Sequence, residues 1–440
     1  FNINKITTDG ETVYSESHNP TTDANGVFSV ILGLGTPTLN LFEDINWAEN
    51  KHFLNVFLNG TEIGTTEFTS VPYTKAIGKW QAHKNGVTPK GTGMSIYIGD
   101  NAGENDDFTD NQNIGIGKDA LQRTNNGYDN IAIGEEAMKL LTDGHGNTAI
   151  GKQALFNTSS GSANIAIGNQ ALYNNSNGAR NIAIGGNALQ SNTTGGSNIS
   201  IGDGSLNANT TGQENIALGT LALNNNISGY SNIANGLFSL ALNTEGSNNI
   251  AHGALSMYYN TTGNNNVANG FNALLSNTTG DDNIANGYEG LLNNTEGNNN
   301  IANGLQALKS NTTGSGNLAY GMHALLFSTT GYYNVAIGHR ALTSNDIGAE
   351  NVAVGYHAGG RAKGDGNVFL GNQAGFNELG SNKLYVNNTD STFPLIYGEF
   401  DNETLGFNAK VGIGTKNPEV PLQVYSGSDV TLLDGAGFFL

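Results

Sequence analysis

The sequence predicts an all-β chain: a parallel β-solenoid, or β-roll, of 17-residue coils with an N-terminal β-sandwich-like domain. Three observations predict it. The motif Asn-Ile-Ala-Ile-Gly, or a variant of it, starts at Asn113 and returns every 17 residues as far as Asn351. Within the motif, apolar residues at positions 2 and 4 flank a small residue at position 3, the period-two signature of a strand. Glycine makes up 62 of 440 residues and recurs in most units, which would break amphipathic helices.

The unit reads N-I-A-I-G-x-x-A-L-x-x-N-T-T-G-x-x. Gly at position 5 closes the strand. Ala-Leu at positions 8 and 9 begins a second short apolar segment, and Asn-Thr-Thr-Gly at positions 12–15 is turn chemistry. One coil cannot bury its apolar residues alone, so stacked coils must share a continuous core. Including a looser unit at Ser95, and Asn367 and Asn382 at the far end, about eighteen turns run over residues 95–390. At strand spacing they make a rod of roughly 85 Å. Its open edges need covers, expected from the flanks.

Residues 1–79 form the sandwich-like domain: Val27–Ile31 and Phe53–Leu58 read as strands, Asn25-Gly26 and Asn59-Gly60 as hairpin turns, and Trp47 lies here. Residues 80–94, which include Trp80, read as a linker or cap. Residues 391–440 carry short strands at Leu395–Tyr397, Val411–Ile413 and Leu422–Val424, and their apolar end, Gly437–Leu440, suggests a fragment.

Lys+Arg number 18 and Asp+Glu 37, a net charge of −19, which argues against nucleic acid or an anionic membrane as partner. The chain has no Cys, excluding disulfides, Cys-held metal and thiol catalysis. No apolar run reaches the length of a membrane span.

Position 3 is Gly115, Ser200 or Ala from Asn113 to Ala353. Alanine is a poor strand former, so propensity does not explain the column. It is expected to lie against another chain, with tight packing inside one coil as the alternative. Position 4 is Ile or Leu as far as Leu218, then becomes Asn235, His252, Asn269, Asn286 and Asn303. This stretch is expected to form a structural polar ladder on the core side, since a buried unpaired amide is costly. A water- or ion-lined stretch between chains is the alternative.

No catalytic constellation appears, and no enzyme, cofactor or metal is expected. Gly146 to Gly151-Lys152 has phosphate-loop spacing, but Gln153 stands where Ser or Thr would hold magnesium. Gly115-x-Gly117-x-x-Ala120 is a weak dinucleotide-loop match outside the repeat frame. His323, His339 and His357 could form a loose metal-binding column, but are read as exposed loop histidines. Asp100, Glu104, Asp106, Asp107 and Asp110 read as a solvated acidic loop rather than a calcium site. Tyr173, Tyr258, Tyr259 and Phe327 at positions 10 and 11 are candidate glycan contacts, offering an apolar face.

Ile131-Ala132-Ile133-Gly134 and Ile165-Ala166-Ile167-Gly168 resemble the head repeats of trimeric autotransporter adhesins. That resemblance implies a left-handed parallel β-roll with three chains to a fibre. The present unit is longer, by an Asn-Thr-Thr-Gly loop. Similar long repeats occur in phage tail-fibre-like proteins, and Leu384–Val386, Pro394–Gly398 and Val411–Thr415 look like the segment joining such a fibre to its chaperone. Tyr14–Glu16, Gly26–Val30 and Ser70–Tyr73 resemble the leading domain of secreted Bacteroidota surface proteins. The implied function is a structural extracellular fibre or adhesin, homotrimeric, mediating attachment at a cell surface or on a tail-like particle through a surface glycan or receptor. An ice-binding or polysaccharide-active solenoid is the alternative.

Overall fold

In a computed structural model, residues 2–5, 10–21, 32, 34–40, 45, 52–67, 81–83, 86–88, 95–106, 111–426 and 429–433 are described. They are all-β, without a helix. The chain divides into two compact units, Phe1–Ile98 with Phe108–Gln112, and Gly99–Asp107 with Asn113–Leu440.

In the first unit, five antiparallel strands form one sheet, in the order Thr36–Leu39, Thr12–Ser17, Asn2–Lys5, His52–Leu58 and Thr61–Glu67. Tyr14 and Ile45 are buried together, with Val13 and Leu54 packed against them. Gln81–His83 pairs with Gly86–Thr88 as a separate hairpin, so the strands described here form small sheets. The predicted strand Val27–Ile31, both Trp residues and Gly437–Leu440 lie outside the described residues.

The second unit is the solenoid. Three-residue strands pair in parallel at an offset of 17, from Ile114–Ile116 against Ile131–Ile133 through Val335–Ile337 against Val352–Val354. The offset becomes 16 for Val352↔Val368 and stays there for Val368↔Leu384. Lys383, not Asn382, therefore begins the last coil. The sheet then turns antiparallel: Lys383–Val386 pairs with Ile396–Glu399, which pairs with Thr404–Phe407. This hairpin continues the sheet by two strands, of which the outer one, Thr404–Phe407, is exposed.

Each coil has one strand, not two apolar strands. The Ala-Leu segment lies in successive turns, with Asp119, Leu121, Glu136 and Met138 at left-handed φ of 57°, 52°, 58° and 49°. Its backbone groups pair with neighbouring coils instead, as in Leu121 N–H to Ala137 O (3.0 Å) and Glu136 N–H to Lys118 O (2.8 Å). Leaving buried backbone groups unpaired would cost more than the strain. Gly at position 5 turns the corner: Gly134 has φ of 138°, and a Cβ there would lie 2.5 Å from the Gly151 carbonyl oxygen.

The core is thin. Ala132, Ala137 and Met138 are fully buried, and so are Ala149, Ala154 and Leu155 one coil on. The Ala column thus packs inside its own coil, which corrects the expectation that it lies against another chain. Position 3 points inward because positions 2 and 4, on the opposite side of the pleat, point outward.

Candidate functional site: an apolar face along the solenoid

Two polar columns are sealed in the core. At position 1, Asn130 donates its backbone N–H (2.9 Å) and Nδ2 (3.2 Å) to Asn113 Oδ1, and Nδ2 also donates to the Gly144 carbonyl (2.9 Å). The same set recurs coil after coil to Asn351. At position 12, Asn192 Nδ2 donates to Asn175 Oδ1 (2.7 Å) and to the Gly195 carbonyl (2.9 Å). This second column runs on through Asn311. These amides tie the strand entry and the loop to the coils beside them. The recurrence of Asn at positions 1 and 12 was their sequence signal, which reads equally well as turn chemistry.

The expected ladder at position 4 lies elsewhere. Asn235, His252, Asn269, Asn286 and Asn303 do share a column with Ile133 and Ile167, but the column faces outward. Asn235, His252 and Asn269 are exposed, Asn286 and Asn303 half-buried. Asn269 Nδ2 donates to Asn286 Oδ1 at 2.8 Å. The core-side placement was wrong because alternation fixes only that positions 2 and 4 share a face, not which face is inside.

Hence the outer surface of the sheet carries a column of aliphatic side chains at position 2, with a second at position 4 except over the coils of Asn235 to Asn303. Ile133, Ile167 and Ile201 remain 36%, 36% and 40% exposed, and Ile165 at position 2 39%. Position 2 stays apolar from Ile165 through Val352, a stripe with no charged residue at positions 2 or 4. A contiguous exposed apolar surface of this kind marks an interaction site.

The candidate glycan contacts are dispersed. Tyr173 is half-buried and stacks on Phe156 (centroids 5.0 Å, interplanar 5°), so one ring face is already covered. Tyr258 and Tyr259 meet edge-on at 4.7 Å, and Phe238 packs against Tyr258 at 6.1 Å. Phe327 is exposed, four coils beyond. Only Tyr258 and Tyr259 are brought together. The Thr hydroxyls at position 13 are committed internally, as in Thr193 Oγ1 to Thr210 O (3.0 Å) and Thr261 Oγ1 to Thr278 O (2.9 Å).

His323, His339 and His357 do stack as a column, with ring centroids 6.2 and 5.9 Å apart. They are half-buried, not exposed: Tyr356 and Phe376 pack on His357 at 4.5 and 5.6 Å. Burial, then the Arg340 guanidinium and His339, hold the His357 imidazole below the ordinary histidine value; His323 is lowered by burial, Arg340 and His339 in the same order, with Lys309 last. Among the described residues no group of His, Cys, Asp or Glu is placed to hold a metal ion. Of the acidic loop, Asp107 and Asp110 lie outside the described residues, and Glu104 accepts from Gln122 Nε2 at 2.7 Å. Lys152 of the phosphate-loop match pairs with Glu135 at 3.0 Å.

A shallow cleft of about 220 Å³ lies beside Phe376, Glu378, Tyr385 and Asp390. Tyr385 donates its hydroxyl to Glu378 at 2.6 Å, and burial followed by that bond raises its pKa. A phenol held protonated in this way is a strut between coils rather than an acid or base. Among the described residues no helix is long and apolar enough to cross a membrane.

Residues 1–70 match the model of a family described as a domain of unknown function (DUF8740), and no curated protein and no solved structure matches the chain.

Proposed function

We propose that this chain is the shaft of an extracellular structural fibre or adhesin, in which three copies associate along their solenoids and hold a surface at a distance. The observation that carries this reading is the outward-facing apolar stripe, formed by position 2 along the solenoid and joined by position 4 outside the five coils that carry Asn235, His252, Asn269, Asn286 and Asn303. Covering one Ile side chain from about 37% exposed contributes a fraction of its full burial value of roughly 1.5–3 kcal/mol, but the gain repeats on every coil. The resemblance to trimeric adhesin heads and tail-fibre repeats supports three chains and a place outside the cell. The internal ladders suit a mechanical part, because each coil is tied to the next by side-chain and backbone bonds acting in series.

The mass of the full chain in native solution tests the assembly: three copies are expected, and a monomer at micromolar concentration overturns it. Beads coated with the chain should be retained under flow on surfaces bearing glycans or cell-surface protein. Retention no better than bare beads would remove the attachment role.

A further inference from the structure

The Asn column at position 12 is broken at both ends. Before Asn175 it reads Thr124, Leu141 and Thr158; after Asn311 it reads Ser328, Asn345 and Ala362. All of these side chains are fully buried. Buried polar atoms without a partner gather at the breaks: Thr124 Oγ1, Thr158 Oγ1, Ser328 Oγ, and the Oδ1 atoms of Asn311 and Asn345. In the intact stretch each Oδ1 accepts from the amide of the following coil, as Asn294 Oδ1 does from Asn311 Nδ2 at 2.7 Å. The following coil offers Asn311 only the hydroxyl of Ser328, and offers Asn345 only the methyl group of Ala362. Beyond Ser328, Asn345 Nδ2 donates to the Gly348 carbonyl at 2.9 Å but lies 3.4 Å from Asn334 Oδ1, so its second hydrogen is poorly used.

The coils cannot close up on the missing amide. Asn334 donates its N–H and Nδ2 to Asn317 Oδ1, both at 3.0 Å. The loop backbones bond from Thr312 N–H to Thr329 O (2.8 Å) and from Thr329 N–H to Asp346 O (2.7 Å). Ser328 is therefore held at the spacing of the ladder, but its side chain ends at a hydroxyl where asparagine continues to an amide. The space of that amide, about the size of a water molecule, is rimmed by three groups. Asn311 Oδ1 is an acceptor, Asn345 Nδ2 a donor, and Ser328 Oγ serves as either. A buried water makes about three hydrogen bonds to groups of this kind. A cation is disfavoured, because Asn345 Nδ2 turns hydrogens towards it and none of the three groups carries a charge to offset its desolvation.

We infer that one water molecule is bound inside the solenoid at Ser328, donating to Asn311 Oδ1, accepting from Asn345 Nδ2 and sharing a hydrogen bond with Ser328 Oγ. It carries the polar ladder across the break, in the place that other coils fill with an Asn amide. Of the breaks in the column, only Ser328 stands between two asparagines, which is why the site is placed there. The site belongs to the single chain and does not depend on the assembly proposed above.

A crystal structure of the full chain that orders its waters tests this, together with the variants Ser328→Asn and Ser328→Ala. The parent should show a density peak within about 3.2 Å of Asn311 Oδ1, Asn345 Nδ2 and Ser328 Oγ. Ser328→Asn should lose the peak, its amide donating to Asn311 Oδ1 directly. Hydrogen exchange of the amides of residues 318–333 gives a second readout, in which the sign of the change decides. With the water in place, Ser328→Ala takes away one of its partners, and exchange should quicken on the order of fivefold, the worth of one hydrogen bond. With an unbridged hydroxyl, the same change removes a buried orphan, and exchange should slow. Slower exchange in Ser328→Ala therefore overturns the inference. So does a parent structure in which the site is dry, in which Ser328 Oγ and Asn311 Oδ1 bond protein groups directly, or in which the peak is an ion with oxygen contacts of about 2.3–2.6 Å.

Discussion

Asparagine occupies two unlike environments within one coil, only a few residues apart. Asn266 is fully buried at position 1: its N–H and Nδ2 reach Asn249 Oδ1 (3.0 and 3.2 Å), Nδ2 reaches the Gly280 carbonyl (2.8 Å), and its Oδ1 accepts from Asn283. Asn269 at position 4 is exposed and makes one side-chain bond, to Asn286. An orphaned buried donor costs its full desolvation, whereas an exposed amide is re-solvated by water. Asn266→Ala should therefore lose about 2–3 kcal/mol. Asn269→Ile should stay within about 0.5 kcal/mol in the dissociated chain. Denaturant melts of the two variants check this, and equal losses would show that position 4 is part of the core. The repeat made both columns visible in the sequence. Their environments were not visible, because the same amide is favoured in ladders, turns and solvated faces.

The coils around His323, His339 and His357 carry a pH dependence of their own. The folded values of His323 and His357 lie below the ordinary histidine value of 6.5, through burial first and the Arg340 guanidinium second, with His339 beside them a smaller cause. A depressed histidine favours the neutral form in the fold, so the unfolded chain binds more protons as pH falls below about 6.5. The stability of these coils is then present above that value and lost as pH drops through the folded one. Hydrogen exchange over residues 320–376 should be faster at pH 5.5 than at pH 7.5, after correction for the intrinsic rate. His357→Gln should flatten the difference. The carboxylates of Glu136 and Glu289 are lowered from 4.5, mainly by hydrogen bonds from Lys139 and Lys309, so their loss begins only below that pH. A pH 5.5 effect untouched by His357→Gln would assign the dependence elsewhere.

Across the whole solenoid, each coil bonds to the one before and the one after, so stability is close to a sum of neighbouring terms. Removing residues 266–282 deletes one 17-residue unit and sets Asn283 on Asn249, so that both Asn ladders and the Gly corners re-form in register. That variant should fold with its melting temperature within a few degrees of the parent, about the effect of 1 kcal/mol or less. Deleting residues 266–277 instead brings position 13 of one coil onto position 1 of the last, and should unravel the neighbouring coils. Equal melting of the two deletions would show that the stack does not depend on its frame.

The sequence by itself determined the coil length, its strand, its glycine corner and the columns that stack, because an offset of 17 repeated without insertion leaves one register open to the chain. Only the tertiary structure decided which side of that strand is the interior. Period-two alternation separates Ala132 from Ile131 and Ile133 but is symmetric between inward and outward. The thin coil breaks the symmetry: with a second wall closing on Ala132, Ala137 and Met138, there is room inside for a methyl group and not for an isoleucine. The isoleucines are turned out by that lack of space. What the sequence offered as core is therefore the face through which the molecule is proposed to meet its own copies.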